Sequence, residues 1–299
     1  MRKIFLFSLI IINTVTAGAR DNRDLFLTMQ DSLKTLQNQL YKAKTDEDKL
    51  SINKQFIATF KRALNTENSF NFSFDSLDQI GKLVSPDKKF RIYNWDLQMK
   101  DGTQQYFGFI QHYNLKTKKY ELFDLTDRST ETKNPENSVS DNNKWFGMLY
   151  YKIIQKKYKK KTYYTLLALD YNDKLTSKKI IDVLSFDSKG VPKFGESVFE
   201  VGKKTQKRII MEYSSRATVS LKYNEDDDLI IFDHLSPSQP SLEGQYTYYG
   251  PDGSFDAFEF KKGKWIYIKD IDARNGSNQS DKFYKNPSGG TAPVVPTKK

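Results

Sequence analysis

Tyr163-Tyr164-Thr165-Leu166-Leu167-Ala168-Leu169 leaves neither face of a strand for water. Side chains alternate across a strand, so a half-exposed strand shows apolar and polar residues in turn. Here both parities are apolar, and residues 148–154 and 180–186 read largely the same way. Strands of this kind have to be covered on both sides, by a second sheet layer or by packed helices.

Outward from these runs, β-branched and aromatic residues dominate from Phe90 to about Ile271 with a period of two. Ala217, Val219, Leu221 and Tyr223 alternate with Thr218, Ser220 and Lys222, as in a strand with one wet face. Turn signals at Asp101-Gly102, Asn172-Asp173, residues 187–190, residues 225–228, Pro251-Asp252-Gly253 and Gly263 cut the region into about a dozen strands with hairpin-length links. The expected architecture is an antiparallel β-meander, folded as a sandwich or a curved sheet. A β-propeller is the alternative, since Ser85-Pro86-Asp87-Lys88-Lys89-Phe90 resembles the turn that opens many blade strands. The repeat of roughly 40–50 residues that a propeller requires is not seen.

Before the β region, residues 21–65 read as two helices. Phe26, Met29, Leu33, Leu36 and Leu40 recur at steps of three and four, as do Ile52, Phe56, Ile57, Phe60 and Leu64. Between them, Thr45-Asp46-Glu47-Asp48 has the form of a capping box, with Thr45 as N-cap and Asp48 reaching back. The short link predicts an antiparallel hairpin. Phe70, Phe72 and Phe74 alternate with Asn71 and Ser73, which predicts an extended lead into the sheets.

At the N-terminus, Arg2-Lys3 precedes a short apolar run from Ile4 to Ile12 and then Ala17-Gly18-Ala19. These are the three parts of a secretory signal peptide, and the run falls short of the roughly 20 residues a membrane span needs. Cleavage after Ala19 leaves 280 of the 299 residues, with a periplasmic or extracellular destination. Beyond Asn275 the composition turns to Ser, Gly, Asn and Pro, too poor in apolar groups to fold. The expected α+β chain is a signal peptide over 1–19, a helical hairpin over 20–66, an antiparallel β domain over 67–274 and a disordered tail over 275–299.

The chemistry is bounded mainly by exclusion. With no cysteine, disulfides, thiolate catalysis, sulfur-bound metals and a lipoprotein anchor are ruled out. The two histidines, His112 and His234, lack metal-ligand spacing and read as strand or loop residues with local hydrogen bonds. No nucleophile elbow, phosphate loop or dinucleotide fingerprint is present, so neither a metal nor a cofactor is expected. Carboxylates are the remaining catalytic candidates: Asp96, Asp124, Asp170, Asp182, Asp233, Asp256 and Asp270 lie in or beside strands. A glycosidase would need two of them facing each other across a cleft. Glu225-Asp226-Asp227-Asp228 lacks the alternation of a calcium loop and reads as a hairpin tip.

Two groups suit binding instead. Tyr246, Tyr248, Tyr249 and Trp265 would form a sugar-stacking platform if exposed on one β surface. Lys156, Lys157 and Tyr158 open the densest basic run, where cations flank a stacking ring. The same run falls where two apolar strands turn, and lysines commonly protect strand ends. The net charge of +11 favours anionic surfaces, but the charges make no sustained stripe.

The segments Ser85-Pro86-Asp87-Lys88-Lys89-Phe90-Arg91-Ile92-Tyr93-Asn94-Trp95-Asp96, Phe232-Asp233-His234-Leu235-Ser236-Pro237 and Tyr249-Gly250-Pro251-Asp252-Gly253-Ser254-Phe255-Asp256 carry a resemblance. They resemble uncharacterised secreted proteins of Bacteroidota-type bacteria. That resemblance implies a Gram-negative envelope location and a shared fold, and brings no activity or site residue. The expectation is a non-enzymatic envelope protein that binds a glycan or another envelope component, not nucleic acid. The alternatives are a polysaccharide hydrolase with paired carboxylates and an interaction protein docking through its helical hairpin.

Overall fold

The computed structural model describes residues 14–272, with side chains from Arg23 onward. The tail over 275–299 and most of the signal segment lie outside the described residues. The chain forms two compact units, one ending at Gln79 and the other beginning at Ile80. No described helix is long and apolar enough to cross a membrane.

The first unit is the helical hairpin, α1 (Thr14–Lys42) and α2 (Asp46–Asn65). Phe26, Gln30, Leu33, Gln37 and Leu40 are the buried seam of α1, at alternating steps of four and three. Met29 and Leu36 are only partly buried, and two glutamines sit in the seam instead. Thr45 caps α2 as expected: its hydroxyl oxygen accepts from the Asp48 amide at 3.1 Å and its O–H donates to the Asp48 carboxylate at 2.8 Å. The expected extended stretch through Phe70, Phe72 and Phe74 is instead a 3₁₀ turn at Ser69–Asn71. The turn folds the rings back onto the helices. Phe72 stacks on Phe26 at 5.1 Å and Phe74 meets Phe60 edge-on at 5.3 Å. Burying phenyl rings on an apolar helix face outweighs the weak β preference of a five-residue alternation.

The second unit contains three sheets. The first is a meander of β1 (Gly81–Val84), β2 (Phe90–Gln98), β3 (Gln104–Asn114) and β4 (Lys119–Thr126). The middle sheet comprises β5 (Ser140–Asp141), β6 (Leu149–Tyr158), β7 (Lys161–Asp170), β8 (Thr176–Phe186) and β9 (Pro192–Phe194), in the order β5-β9-β8-β7-β6. The chain starts the third sheet with β10 (Phe199–Val201) and β11 (Lys204–Gln206), then returns to the middle sheet with β12 (Ile209–Ser214), which pairs with β8. It completes the third sheet with β13 (Leu221–Asn224), β14 (Leu229–Pro237), β15 (Tyr249–Lys261) and β16 (Lys264–Ile271). Pairing between these strands is antiparallel except at β10–β16.

Parity explains the layering. Leu166, Ala168, Ile180 and Leu184 pack with Phe90, Ile92 and Ile110 of the first sheet. Leu167, Ile181 and Val183 pack with Ile230, Phe258 and Trp265 of the third. The two-faced strands are therefore the middle of a three-layer sandwich, covered on both sides by sheets. They stack as layers and do not radiate as blades.

Two turn and strand readings change. Pro251-Asp252-Gly253 does not join two strands. It is a bulge inside β15, where the register jumps from Asp233↔Phe255 to Leu235↔Pro251. Residues 217–220 lie outside any strand, and the run becomes β13 only at Leu221. The long polar stretch over 129–143 is anchored from below: Arg208 donates to the Pro135 carbonyl, and the Lys207 and Arg208 amides donate to Glu136 at 2.9 and 3.0 Å.

Candidate functional site

At one end of the interface between the middle and third sheets the apolar packing gives way to polar groups. Ile230 and Phe232 of β14, Phe260 and Phe258 of β15, and Trp265 of β16 face the shared core. Continuing each row by two residues gives His234, Asp256 and Tyr267. The three side chains meet. His234 Nδ1 lies 2.7 Å from Asp256 Oδ2, the Tyr267 hydroxyl donates to the same oxygen at 2.6 Å, and the Asp270 amide donates to Oδ1 at 3.1 Å.

The backbone is irregular around this group. The bulge in β15 lies opposite His234, and a second register shift, between Phe255 and Ala257, lies at Asp256 itself. Gly253 adopts φ 94° in the first bulge and Asp270 adopts φ 54° at the second. Bulges re-aim side chains and cluster beside functional sites. Here they bring an aspartate that is only 2 % exposed under the imidazole.

A cavity of about 290 Å³ opens over the group, at the lower end of the roughly 300–1,000 Å³ typical of small-molecule pockets. Ile209, Ile210, Met211, Phe232, Leu235 and Phe258 supply apolar walls. Glu212, Asp233, His234 and Asp256 supply polar groups, and Tyr246 and Tyr249 form the aromatic rim, with ring centroids 5.1 Å apart and planes 57° apart. Tyr246 is 45 % exposed. The Tyr249 hydroxyl accepts from the Gly244 amide at 2.9 Å, which fixes that ring.

The hydrogen bonding assigns roles. Asp256 accepts from Tyr267 and from the Asp270 amide, so the hydrogen it shares with His234 belongs to Nδ1. Nε2 is left as the second nitrogen, 4.0 Å from an Asp252 oxygen. Burial, together with the adjoining Asp256 carboxylate, pushes the Tyr267 hydroxyl well above its ordinary range. The Ser254 amide and hydroxyl hold Asp252 below the usual carboxylate range, with His234 a smaller contributor. No cluster of three or more metal-ligating side chains occurs among the described residues.

The residues expected to bind ligand are dispersed. Tyr246 and Tyr249 line the cavity, whereas the half-exposed Tyr248 does not. Trp265 is fully buried, with its indole N–H on Thr165 at 2.9 Å, so it belongs to no surface platform. Its parity places it in the core row beside Phe260. Lys156 is also taken up internally: it pairs with Asp228, donates to the Tyr223 hydroxyl at 3.0 Å and lies over the Trp265 ring at 5.9 Å. Lys152 pairs with Glu225 at 2.7 Å. Two ion pairs therefore join the basic hairpin to the acidic tip, and Lys157 is exposed. Tyr158 packs against Gly263, whose φ of 84° and lack of Cβ permit the contact; a Cβ there would lie 2.8 Å from the ring.

Of the candidate aspartates, Asp233 and Asp256 come together at the cavity. Asp96 and Asp170 are near enough to interact, but both are largely buried, and Asp170 already accepts from Tyr106 and the Asn172 amide at 2.7 Å each. Asp182 is sealed under Arg208, and Asp124 is exposed on β4. The local-hydrogen-bond reading suits His234 but not His112, whose Nδ1 has no partner among the described residues. That ring stacks on Phe186 at 3.7 Å instead. The importance of His234 and Tyr267 is written in sequence as polar residues closing otherwise apolar inward rows, a signal readable only once strand parity is known. No protein-family model, curated protein or solved structure matches the chain, so function has to be drawn from this pocket.

Proposed function

We propose that this is a secreted, non-enzymatic binding protein of the bacterial envelope whose three-layer sandwich takes a saccharide-sized ligand in the His234–Asp256 pocket. The observation that carries the reading is the juxtaposition of an aromatic rim, the exposed Tyr246 and the half-buried Tyr249, with hydrogen-bonding groups inside one cavity. A sugar presents a C–H face to an aromatic ring and hydroxyls to carboxylates and imidazole, and this lining offers both partners. The basic n-region, apolar run and Ala17-Gly18-Ala19 support export.

Calorimetric titration of the full-length chain with neutral hexoses and N-acetylhexosamines tests the pocket. Binding should weaken at least tenfold in Tyr246→Ala and in Tyr249→Phe/Tyr246→Ala. Absence of binding to every sugar, or binding indifferent to these variants, overturns the saccharide reading. Export is tested separately by N-terminal sequencing of protein recovered from the periplasm or medium, which should begin at Arg20.

The His234–Asp256 pair favours one second reading, hydrolysis with His234 Nε2 as general base toward water. Release of a chromophore from aryl glycosides or aryl esters, lost in His234→Ala, would replace binding by catalysis.

A further inference from the structure

The pocket's charge runs against that of the chain. The protein carries 48 lysines and arginines against 37 acidic residues, yet the cavity lining includes Glu212, Asp233 and Asp256 and neither lysine nor arginine. From this contrast, and resting on the pocket being the binding site, we infer that it selects a ligand bearing a protonated amine, of which an amino sugar is the type.

Two of the lining carboxylates keep one oxygen outside the hydrogen bonds found among the described residues. The Ser220 amide occupies Asp233 Oδ2 at 2.7 Å, leaving Oδ1. The Thr176 hydroxyl occupies Glu212 Oε1 at 2.7 Å, leaving Oε2. With Nδ1 directed to Asp256, His234 presents Nε2 as its second ring nitrogen. Lys179 is electrostatically coupled to Asp233 but is not among the lining residues.

The aromatic rim points the same way. Ring faces carry negative potential, so Tyr246 and Tyr249 attract a cation that passes over them. A carboxylate or phosphate ligand would instead meet two carboxylates and ring faces with no lining lysine or arginine to offset them. Half-buried carboxylates in a lined cavity are screened less than surface groups, which gives the sign of the ligand charge its weight.

A matched series separates this inference from the saccharide reading beneath it. Glucose, glucosamine, N-acetylglucosamine and glucuronic acid share a ring and differ in charge, and putrescine carries amines without a ring. Calorimetry at pH 7 on the full-length chain should give glucosamine an affinity at least tenfold above glucose and N-acetylglucosamine, with glucuronic acid weakest. Asp233→Asn and Glu212→Gln, each confirmed folded by an unchanged melting temperature, should bring glucosamine toward the glucose level, lowering glucosamine affinity by a larger factor than glucose affinity. Equal affinities across the series, or preference for glucuronic acid, overturn the amine inference while the sugar reading stands. Binding of putrescine but of no sugar keeps the amine and overturns the saccharide. Binding of none of them overturns both.

Discussion

Asp182 and Asp256 are both aspartates set into otherwise apolar inward rows, and they differ in what closes over them. Asp182 lies between Ile180 and Leu184 on the core shared by the first and middle sheets, and its side chain is 0 % exposed. Arg208, also 0 % exposed, donates to its Oδ2 through Nε at 2.8 Å and keeps Nη2 in ion-pair distance of the same oxygen at 2.8 Å, and the Val183 amide reaches Oδ1 at 2.7 Å. Asp256 lies two residues from Phe258 in the other core, and its partners are a tyrosine hydroxyl, an imidazole and an amide. The first carboxylate meets a permanent cation beneath an anchored loop. The second meets a partner that can change protonation state, beneath a cavity. A fixed counter-charge makes a structural joint, and an adjustable one beside open space makes a site.

The sharpest way to break this contrast is Arg208→Met. It strands Asp182 as an uncompensated buried charge, and removing one partner of a buried pair costs about 3–5 kcal/mol. Urea denaturation should show a loss of that size, and limited proteolysis should newly cut within 129–143, because Pro135 loses its donor. The double variant Asp182→Leu/Arg208→Met should recover much of the stability without restoring the loop. Ligand affinity per folded molecule should be unchanged in both.

Asp256→Asn is expected to invert that profile. The amide preserves shape and one acceptor but disturbs the bonds from His234 and Tyr267, at a stability cost of about 1–3 kcal/mol. Ligand affinity should fall at least tenfold because His234 loses its fixed tautomer. A stability loss equal to that of Arg208→Met, with binding intact, would make Asp256 another structural joint.

How far such distinctions could be read in sequence follows from what periodicity encodes. The two-faced runs at 148–154, 163–169 and 180–186 demanded cover on both sides, and the sheets supply it, because parity is a local property. The Thr45 cap was equally local. Pairing is not: nothing in Ile209-Ile210-Met211 states that β12 leaves the third sheet to join β8, or that β10 runs parallel to β16. Without that register Trp265 cannot be told from a surface aromatic, and Lys156 cannot be seen to meet Asp228. Pro251-Asp252-Gly253 misled for a related reason, since a bulge and a hairpin turn use the same residues. Asp233, Asp256, Tyr246 and Tyr249 were legible as candidates by residue type. Their convergence with His234 was not.

The first sheet holds a second carboxyl and a second imidazole, Asp96 on β2 and His112 on β3, which sharpen the comparison through pH. Burial, with Asp170 adding to it, raises Asp96 to about 6, whereas burial lowers His112 to about 4. A raised carboxyl binds its proton more tightly in the folded chain. Its contribution is present below the unfolded value of 3.8 and is lost as pH rises through about 6. Asp96→Asn should therefore stabilise the protein at pH 7.5, by about 1–2 kcal/mol, and much less at pH 5. His112 has the opposite sign: its contribution is present above the ordinary value of 6.5 and is lost as pH falls through about 4. Melting curves of His112→Phe should show a shallower decline between those values.

The smallest effect is expected where an ion pair is both exposed and adjustable. Lys152 and Glu225 lie 2.7 Å apart with side chains 38 % and 72 % exposed. Solvent screening and the entropy of holding two long side chains limit such a pair to about 0–1 kcal/mol. Lys152→Ala should therefore shift the urea midpoint only slightly, and added salt should erase the difference from wild type. The deeper Lys156, over the Tyr223 ring at 5.3 Å, should be less sensitive to salt because part of its contact is packing against the aromatic face. If Lys152→Ala and Lys156→Ala respond alike to salt, charge alone joins the basic and acidic hairpins. If they diverge, the aromatic floor beneath Lys156 converts a surface ion pair into part of the fold, as Arg208 does completely for Asp182.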